Sequence, residues 1–246
     1  MRKESLSLKL FFGKKREETE LTQKKLLRYN AILLVAFVAN MFIPRGPATG
    51  MLTDFFNLIT VTVIVYASSI SLDFSKKFKN IIYPLSAVTV MLLWLTNFFE
   101  SIILSSLSYF TLIAYFFIIG FAMIVHLLGE KKVTASMLLN AVNSYLFLGY
   151  IFSFILLFGE LINKIWFGAN HLLLKFPETF APKLQHYLYF SFVTLTTLGY
   201  GDITPISEFS QMLSVVIAVS GQIYMTMLLA FLVGKYISES MNKDNN

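Results

Sequence analysis

Six apolar runs constrain this chain more than any other feature of its sequence. Each run is long enough to cross about 30 Å of hydrocarbon at 1.5 Å per residue. Of the 246 residues, 56% are hydrophobic and 14% are charged, and a soluble domain of this size has too little interior to hide so much apolar surface. The sequence therefore predicts an all-α membrane protein with six transmembrane helices, over about Leu26–Ile43, Phe55–Leu72, Ile81–Phe99, Ile102–Leu128, Met137–Ile162 and Phe209–Ile237.

The distribution of lysine and arginine predicts how these helices are oriented. If both termini are cytoplasmic, sixteen basic residues lie in the inner segments and four in the outer ones, as the positive-inside rule requires. Membrane topology thus accounts for the net charge of +6, and no nucleic-acid partner is expected. Residues 1–25 form a basic cytoplasmic tail that either touches anionic lipid or only fixes the orientation. Residues 239–246 form a cytoplasmic tail too short for an attached ligand-binding domain.

The residue types that usually carry enzyme chemistry are sparse. The chain has no cysteine, which removes disulfides, thiolate metal sites and cysteine nucleophiles. Its three histidines, His126, His171 and His186, are not spaced as a metal cluster, and no nucleophile–base pair stands out. The sequence predicts that the protein is not an enzyme.

A glycine-rich segment between the fifth and sixth apolar runs has an unusual context. The apolar and aromatic stretch His186–Val193 is long enough for a short re-entrant helix, and Thr194–Asp202, which reads TLTTLGYGD, follows directly. A row of backbone carbonyls that point one way needs alternating backbone twists, and Gly199 and Gly201 adopt the required φ values at little steric cost. The pattern indicates a segment that presents backbone oxygens.

The core of this segment, Thr196–Asp202 (TTLGYGD, hereafter the filter segment), resembles the selectivity filter of the tetrameric potassium channel family. It differs from the commonest family wording, TTVGYGD, only by Leu198 in place of valine. The resemblance implies K⁺ as the permeant ion, coordinated by oxygens of Thr197, Leu198, Gly199 and Tyr200. It implies supporting or outer-mouth positions for Thr196, Gly201 and Asp202. One filter copy supplies a quarter of such a ring, which implies a homotetramer in the lipid bilayer.

The resemblance divides the chain into two membrane domains. Residues 133–238 resemble a channel pore domain with an outer helix, a re-entrant pore helix, the selectivity filter and an inner helix. Residues 26–132 have the layout of a voltage-sensor domain, although the fourth run carries no arginine or lysine. Because charges that cross the field supply voltage dependence, we expect sensor-type voltage dependence to be weak or absent. His126 either senses protons or only hydrogen-bonds a neighbour.

Three residues outside the filter segment are candidates for its support, and a fourth, Gly221, is a candidate hinge of the inner helix. Val193 occupies a position where some family members carry a glutamate paired to the filter aspartate; it cannot bond Asp202, whereas the Tyr189 hydroxyl can, so we expect a differently braced filter. Glu160 either braces the outer mouth or is an interfacial carboxylate exposed to water. Gly221 falls where the family places a hinge glycine, and hinge and close packing remain equally open, since a mid-helix glycine has a cost of about 1 kcal/mol relative to alanine.

The interpretation favoured by the sequence is a potassium-selective channel that conducts K⁺ passively and lies in a prokaryotic plasma membrane as a multi-pass protein. Two alternatives stay open. One is a potassium transporter subunit, against which the complete motif and its single copy argue. The other is a non-conducting accessory subunit that assembles with other pore subunits.

Overall fold

The structure is a computed structural model that describes residues 20–43, 50–72, 74–99, 101–130, 134–167, 172–177 and 184–244. These ranges contain helices and one pair of two-residue strands. In chain order the elements are α1 (Glu20–Phe42), α2 (Gly50–Ile70), α3 (Lys76–Phe98), α4 (Ile102–Gly129), α5 (Ala135–Phe167), β1 (Leu174–Lys175), α6 (Leu184–Leu195), β2 (Thr204–Pro205) and α7 (Glu208–Asp244).

Within the described part of the chain, six helices, α1 to α5 and α7, are long and apolar enough to cross a membrane. The prediction of six spanning helices is confirmed at this level. The ends of the helices differ from those of the apolar runs. Helices α1, α2 and α3 begin five or six residues before the predicted runs and end one or two residues before them, whereas α5 and α7 extend past both ends, because helix hydrogen bonds do not require surrounding hydrocarbon. Helix α1 begins six residues before Leu26, and α7 continues past Ile237 to Asp244. Residues 20–25 and 239–244 are therefore helical and not irregular tail, while residues 1–19 lie outside the described residues.

Side-chain caps explain where several helices begin. The Ser75 hydroxyl accepts a hydrogen bond from the Phe78 amide at the start of α3, and Ser101 does the same at the start of α4. At the start of α5 the Thr134 hydroxyl accepts from the Met137 amide at 3.2 Å. These caps satisfy amide groups that a first helical turn leaves without intrahelical partners.

Helices α1 to α4 form a bundle that packs through α1 and α4 on α5. An aromatic cluster lies at this contact, where the Phe147 ring of α5 meets Phe37 of α1 edge-on at 4.9 Å and Phe116 of α4 at 5.0 Å. Tyr150, one turn along α5, packs against Phe37 at 4.8 Å. The bundle and α5 are thus joined by large buried rings.

Hydrogen bonds between neutral side chains and backbone take the place of ion pairs inside this bundle. The Tyr115 hydroxyl of α4 donates to the Val65 carbonyl at 2.7 Å and lies 2.8 Å from the hydroxyls of both Ser68 and Ser69. On the other side, the Asn143 amide of α5 donates to the Asn30 carbonyl of α1 at 2.9 Å. Bonds of this kind stabilise helix association in hydrocarbon, where apolar packing alone does not distinguish a neighbouring helix from lipid.

We expect Tyr115→Phe to lower stability, because the change removes one fully buried hydroxyl and leaves the serines without it. The loss should be about 1 kcal/mol, the usual scale for an interhelical bond in a membrane. Thermal unfolding of the purified protein measures it. Tyr66→Phe is the matched control, since Tyr66 is 62% exposed on α2; equal melting temperatures for the two variants would contradict this account.

Candidate functional site

The short helix α6 positions the filter segment. Its twelve residues extend about 18 Å, which is too short to cross about 30 Å of hydrocarbon. It is wedged between two longer helices. The Phe192 ring lies against Gly149 of α5, where a Cβ would come within 2.3 Å of the ring, and the Leu195 carbonyl lies against Gly221 of α7. Glycine at both contacts lets α6 approach the backbones of its neighbours.

The backbone of the filter segment alternates between ordinary and left-handed conformations. Thr197, Gly199 and Gly201 have φ values of +60°, +56° and +81°, and the residues between them do not have positive φ. The glycines meet no neighbouring atom that a Cβ would strike, so backbone conformation is what favours glycine there. The positive φ of Thr197 was not predicted from the sequence, because threonine carries no signal for it.

Carbonyls at the end of α6 accept the amide groups of the filter segment. The Val193 carbonyl accepts from the amides of Leu198 at 2.9 Å and Gly199 at 3.3 Å, and the Thr194 carbonyl accepts from the Thr197 amide at 2.9 Å. The Thr196 amide bonds the Phe192 carbonyl in the same way. Val193 therefore supports the filter segment through its backbone, a role that reasoning about its side chain missed.

These bonds fix the direction of the carbonyls. In a planar trans peptide the N–H of one residue and the C=O of the preceding residue point in opposite directions. Because the amides of Thr197, Leu198 and Gly199 face α6, the carbonyls of Thr196, Thr197 and Leu198 face away from it. All seven residues of the filter segment are exposed in a single chain. The segment thus offers a row of backbone oxygens on its open side.

Two tyrosines and one carboxylate form the outer end of the site. The Tyr189 hydroxyl of α6 donates to Asp202 Oδ2 at 2.7 Å, which is the bond that the sequence analysis judged chemically available. This bond lowers the pKa of the Asp202 carboxyl below its ordinary value. The Tyr200 ring stacks on the Tyr189 ring, with an interplanar angle of 7°. Phe190, by contrast, is buried inside the pore unit.

Glu160 contacts the segment just before β1 rather than the filter segment itself. It is 2% exposed in the single chain, so the alternative of a water-exposed carboxylate is wrong for this structure. Its Oε2 accepts from the Leu173 amide at 2.8 Å, and Lys164 Nζ lies 4.0 Å from Oε1. The Leu173 carbonyl in turn accepts from the Ser210 hydroxyl of α7 at 2.6 Å.

The strand pair connects this brace to the filter segment. Strand β1 follows Leu173 directly, and β2 begins two residues after Asp202; the two pair antiparallel, with Leu174 opposite Pro205. The Ile206 amide also donates to the Leu173 carbonyl at 3.0 Å. Glu160 therefore holds the strand that pairs with the chain as it leaves the filter segment.

Gly221 lies at the closest contact between α7 and α6. A Cβ at this position would be 1.9 Å from the Leu195 carbonyl oxygen, so close packing accounts for the glycine. Helix α7 continues through this point to Asp244, and the hinge role stays a prediction. The next residue, Gln222, was not singled out by the sequence; its amide lies 3.4 Å from the Thr197 hydroxyl.

His126 lies at the other end of α4, away from the filter segment. Its Nε2 is 3.3 Å from Glu130 Oε1, which agrees with the interpretation as an ordinary hydrogen-bonding side chain; proton sensing stays a prediction. The Glu130 carbonyl accepts from Lys235 Nζ of α7. The end of α4 thus contacts α7 directly.

We expect Gly221→Ala to destabilise the protein by about 1–3 kcal/mol, the usual cost of overpacking, because the new methyl group would strike backbone. Gly234→Ala on the same helix is the control, since a Cβ there meets nothing within 4 Å and alanine favours helix. Thermal unfolding should separate the two variants. Equal stabilities would contradict this account, because they would show that the backbone at Leu195 accommodates the methyl group with no loss of stability.

If the chain conducts K⁺, as the resemblance of its filter segment implies, Tyr189→Phe should reduce K⁺ flux several-fold in reconstituted vesicles, because Asp202 loses its hydroxyl donor. A lowered pKa means that the bonded, charged form of Asp202 is favoured at pH values above its ordinary value of 3.8 and is lost only at lower pH. The wild-type bond should therefore persist from about pH 5 to about pH 8, well above the ordinary pKa of an aspartate. The variant's deficit should be constant over this range. Tyr83→Phe, at an exposed tyrosine of α3, is the control. A deficit that disappears within this range would contradict the assignment.

Comparison with known proteins places this geometry in context. Residues 144–238 match a family model described as an ion channel, and this range contains α6, the filter segment and most of α5 and α7. The chain is 33% identical over 98 residues to the voltage-gated potassium channel Kch of Escherichia coli K12, an alignment that covers 39% of this chain. The chain aligns with 22% of the length of that relative. No solved structure matches the chain. Residues 144–238 are therefore similar to an ion-channel family, and 98 residues of the chain are similar to a bacterial potassium channel.

Proposed function

We propose that four copies of this chain form a potassium-selective channel that conducts K⁺ passively down its electrochemical gradient. The observation that carries the proposal is the direction of the filter carbonyls. The amides of Thr197, Leu198 and Gly199 are occupied by α6, which turns a row of backbone oxygens to the exposed side of the chain. The ion-channel match over residues 144–238 supports the same function.

In potassium channels generally, K⁺ enters a narrow pore only if protein oxygens replace its hydration shell. Backbone oxygens of Thr197, Leu198, Gly199 and Tyr200 would supply that shell, with the Thr197 hydroxyl at the inner end. Because these oxygens are uncharged, the ion is held weakly enough to leave again.

A fourfold assembly follows from what one chain lacks. One filter segment coordinates an ion from one side only, and its Leu198 and Tyr200 side chains are 56% and 66% exposed in the single chain. Around a fourfold axis, neighbouring subunits would complete the ring of oxygens and cover these side chains. Helix α6 ends at Leu195, two residues before Thr197, so its negative C-terminal dipole would lie near the inner end of the ion path and favour a cation.

The proposed channel lacks steep sensor-type voltage gating. Moving one charge across the membrane field contributes about 2.3 kcal/mol per 100 mV, and α4 carries no arginine or lysine. Its centre is instead fixed by the neutral Tyr115 bonds to α2. Helix α4 therefore lacks the positive charge that a moving sensor helix requires.

A flux assay in lipid vesicles tests the proposed function. Wild-type protein should release K⁺ much faster than Na⁺, and Gly199→Ala should abolish the difference, because alanine at a φ of +56° is strained by about 1–2 kcal/mol in each of the four subunits. Leu198→Val, which changes the segment toward the commonest family wording, should keep the K⁺ preference. Equal K⁺ and Na⁺ release by wild type, or a Gly199→Ala variant with unchanged selectivity, would refute the proposal.

The voltage prediction is tested in planar bilayers. Conductance should change only gradually between −100 and +100 mV, a range that is worth about 4.6 kcal/mol for each full charge moved. The conductance–voltage curve of the wild-type protein is sufficient for this test. A conductance–voltage curve as steep as that of a channel with an arginine-rich sensor would show that charge moves elsewhere in the protein.

A further inference from the structure

A cavity of about 220 Å³ lies in the four-helix bundle, between α2, α3, α4 and α5. It is at the end of the bundle where α2 and α4 begin and where α6 begins, because Asp54, Tyr109 and Leu184 all line it. Its size is slightly below the roughly 300–1,000 Å³ typical of drug-sized ligand sites. The cavity is therefore suited to a small molecule.

The lining of this cavity is mixed. Asp54, Asn57 and Asn97 supply a carboxylate and two amides, while leucine, valine and phenylalanine side chains supply apolar surface. Asp54 is the one charged residue among the lining side chains that the structure describes. It is exposed, and the ion pairs found among the described residues do not include it. An exposed carboxylate thus shares a cavity with apolar side chains.

An aromatic side chain also lines this cavity. Tyr109 of α4 is among the lining residues, and an aromatic face and a carboxylate both attract organic ammonium groups. An anionic ligand would be repelled by Asp54, and a fully apolar one would leave the carboxylate without a counter-charge. The chemistry of the lining therefore selects a cation that has an apolar body.

We propose that this cavity is a binding site for a small organic ammonium ion, with the ammonium group at Asp54 and Tyr109 and the apolar body against the apolar side chains of the lining. The inference concerns helices α2 to α5 and does not depend on the proposed function of the filter segment. Asn57 also accepts a hydrogen bond from Asn40 at 2.9 Å, which holds this part of the lining in place before a ligand arrives.

Binding of 2-phenylethylammonium to the full-length protein tests this proposal. The protein is reconstituted in nanodiscs of phosphatidylglycerol, whose headgroup offers no competing ammonium group, and affinity is measured by isothermal titration calorimetry. Saturable binding is expected, and Asp54→Asn should weaken it about five- to tenfold, the scale of one partly exposed charge contact. Glu208→Gln is the matched control, because it removes another exposed carboxylate at the start of α7, outside the cavity.

A neutral probe of the same shape, 2-phenylethanol, separates charge from hydrophobic contact. It should bind wild type about as weakly as the ammonium probe binds Asp54→Asn. The proposal is overturned by the absence of saturable binding, by equal affinity of wild type and Asp54→Asn, or by equal affinity of the two probes. Displacement of the ammonium probe by an equal concentration of sodium chloride would indicate an inorganic-ion site and would also overturn it.

Discussion

The hydrogen bonds between the end of α6 and the filter segment are the interaction on which the geometry of this part of the chain depends. Backbone amides and carbonyls in a peptide plane point in opposite directions, so occupying the amides of Leu198 and Gly199 with the Val193 carbonyl decides which way the preceding carbonyls point. No side chain is needed for that step. The positive φ values at Thr197, Gly199 and Gly201 are the conformational consequence, and glycine removes the strain at two of the three positions.

Every other support keeps α6 and its C-terminal carbonyls in place. Gly149 and Gly221 let the two long helices approach α6 closely. At the outer end, Tyr189 holds Asp202, and Glu160 holds the segment that pairs with the chain after the filter segment. The aromatic and amide contacts among α1, α4 and α5 then anchor the outer helix. The filter segment is thus supported by packing around α6, by the hydrogen bond from Tyr189 to Asp202 and by the strand pair that Glu160 holds.

How far the sequence predicted this arrangement depends on the range of each interaction. Hydrocarbon thickness sets the length of an apolar run, so the six spanning helices were predictable, although their ends were not, because helices continue beyond the apolar region. The glycine spacing predicted left-handed backbone at Gly199 and Gly201. The positive φ of Thr197, the backbone role of Val193 and the contact between Phe192 and Gly149 were missed, since each depends on tertiary packing that leaves no local signal. For Glu160, burial excluded one of two open interpretations; for Gly221, packing accounts for the residue without testing a hinge.

The central claim is that the exposed row of backbone oxygens selects K⁺, and the reversal potential tests it most directly. Purified wild-type protein is placed in a planar bilayer with both ions on both sides, K⁺ more concentrated on one side and Na⁺ more concentrated on the other, at equal total concentration. The account predicts a reversal potential close to the K⁺ equilibrium potential. A reversal potential near zero would show that the pore passes both ions and would contradict it.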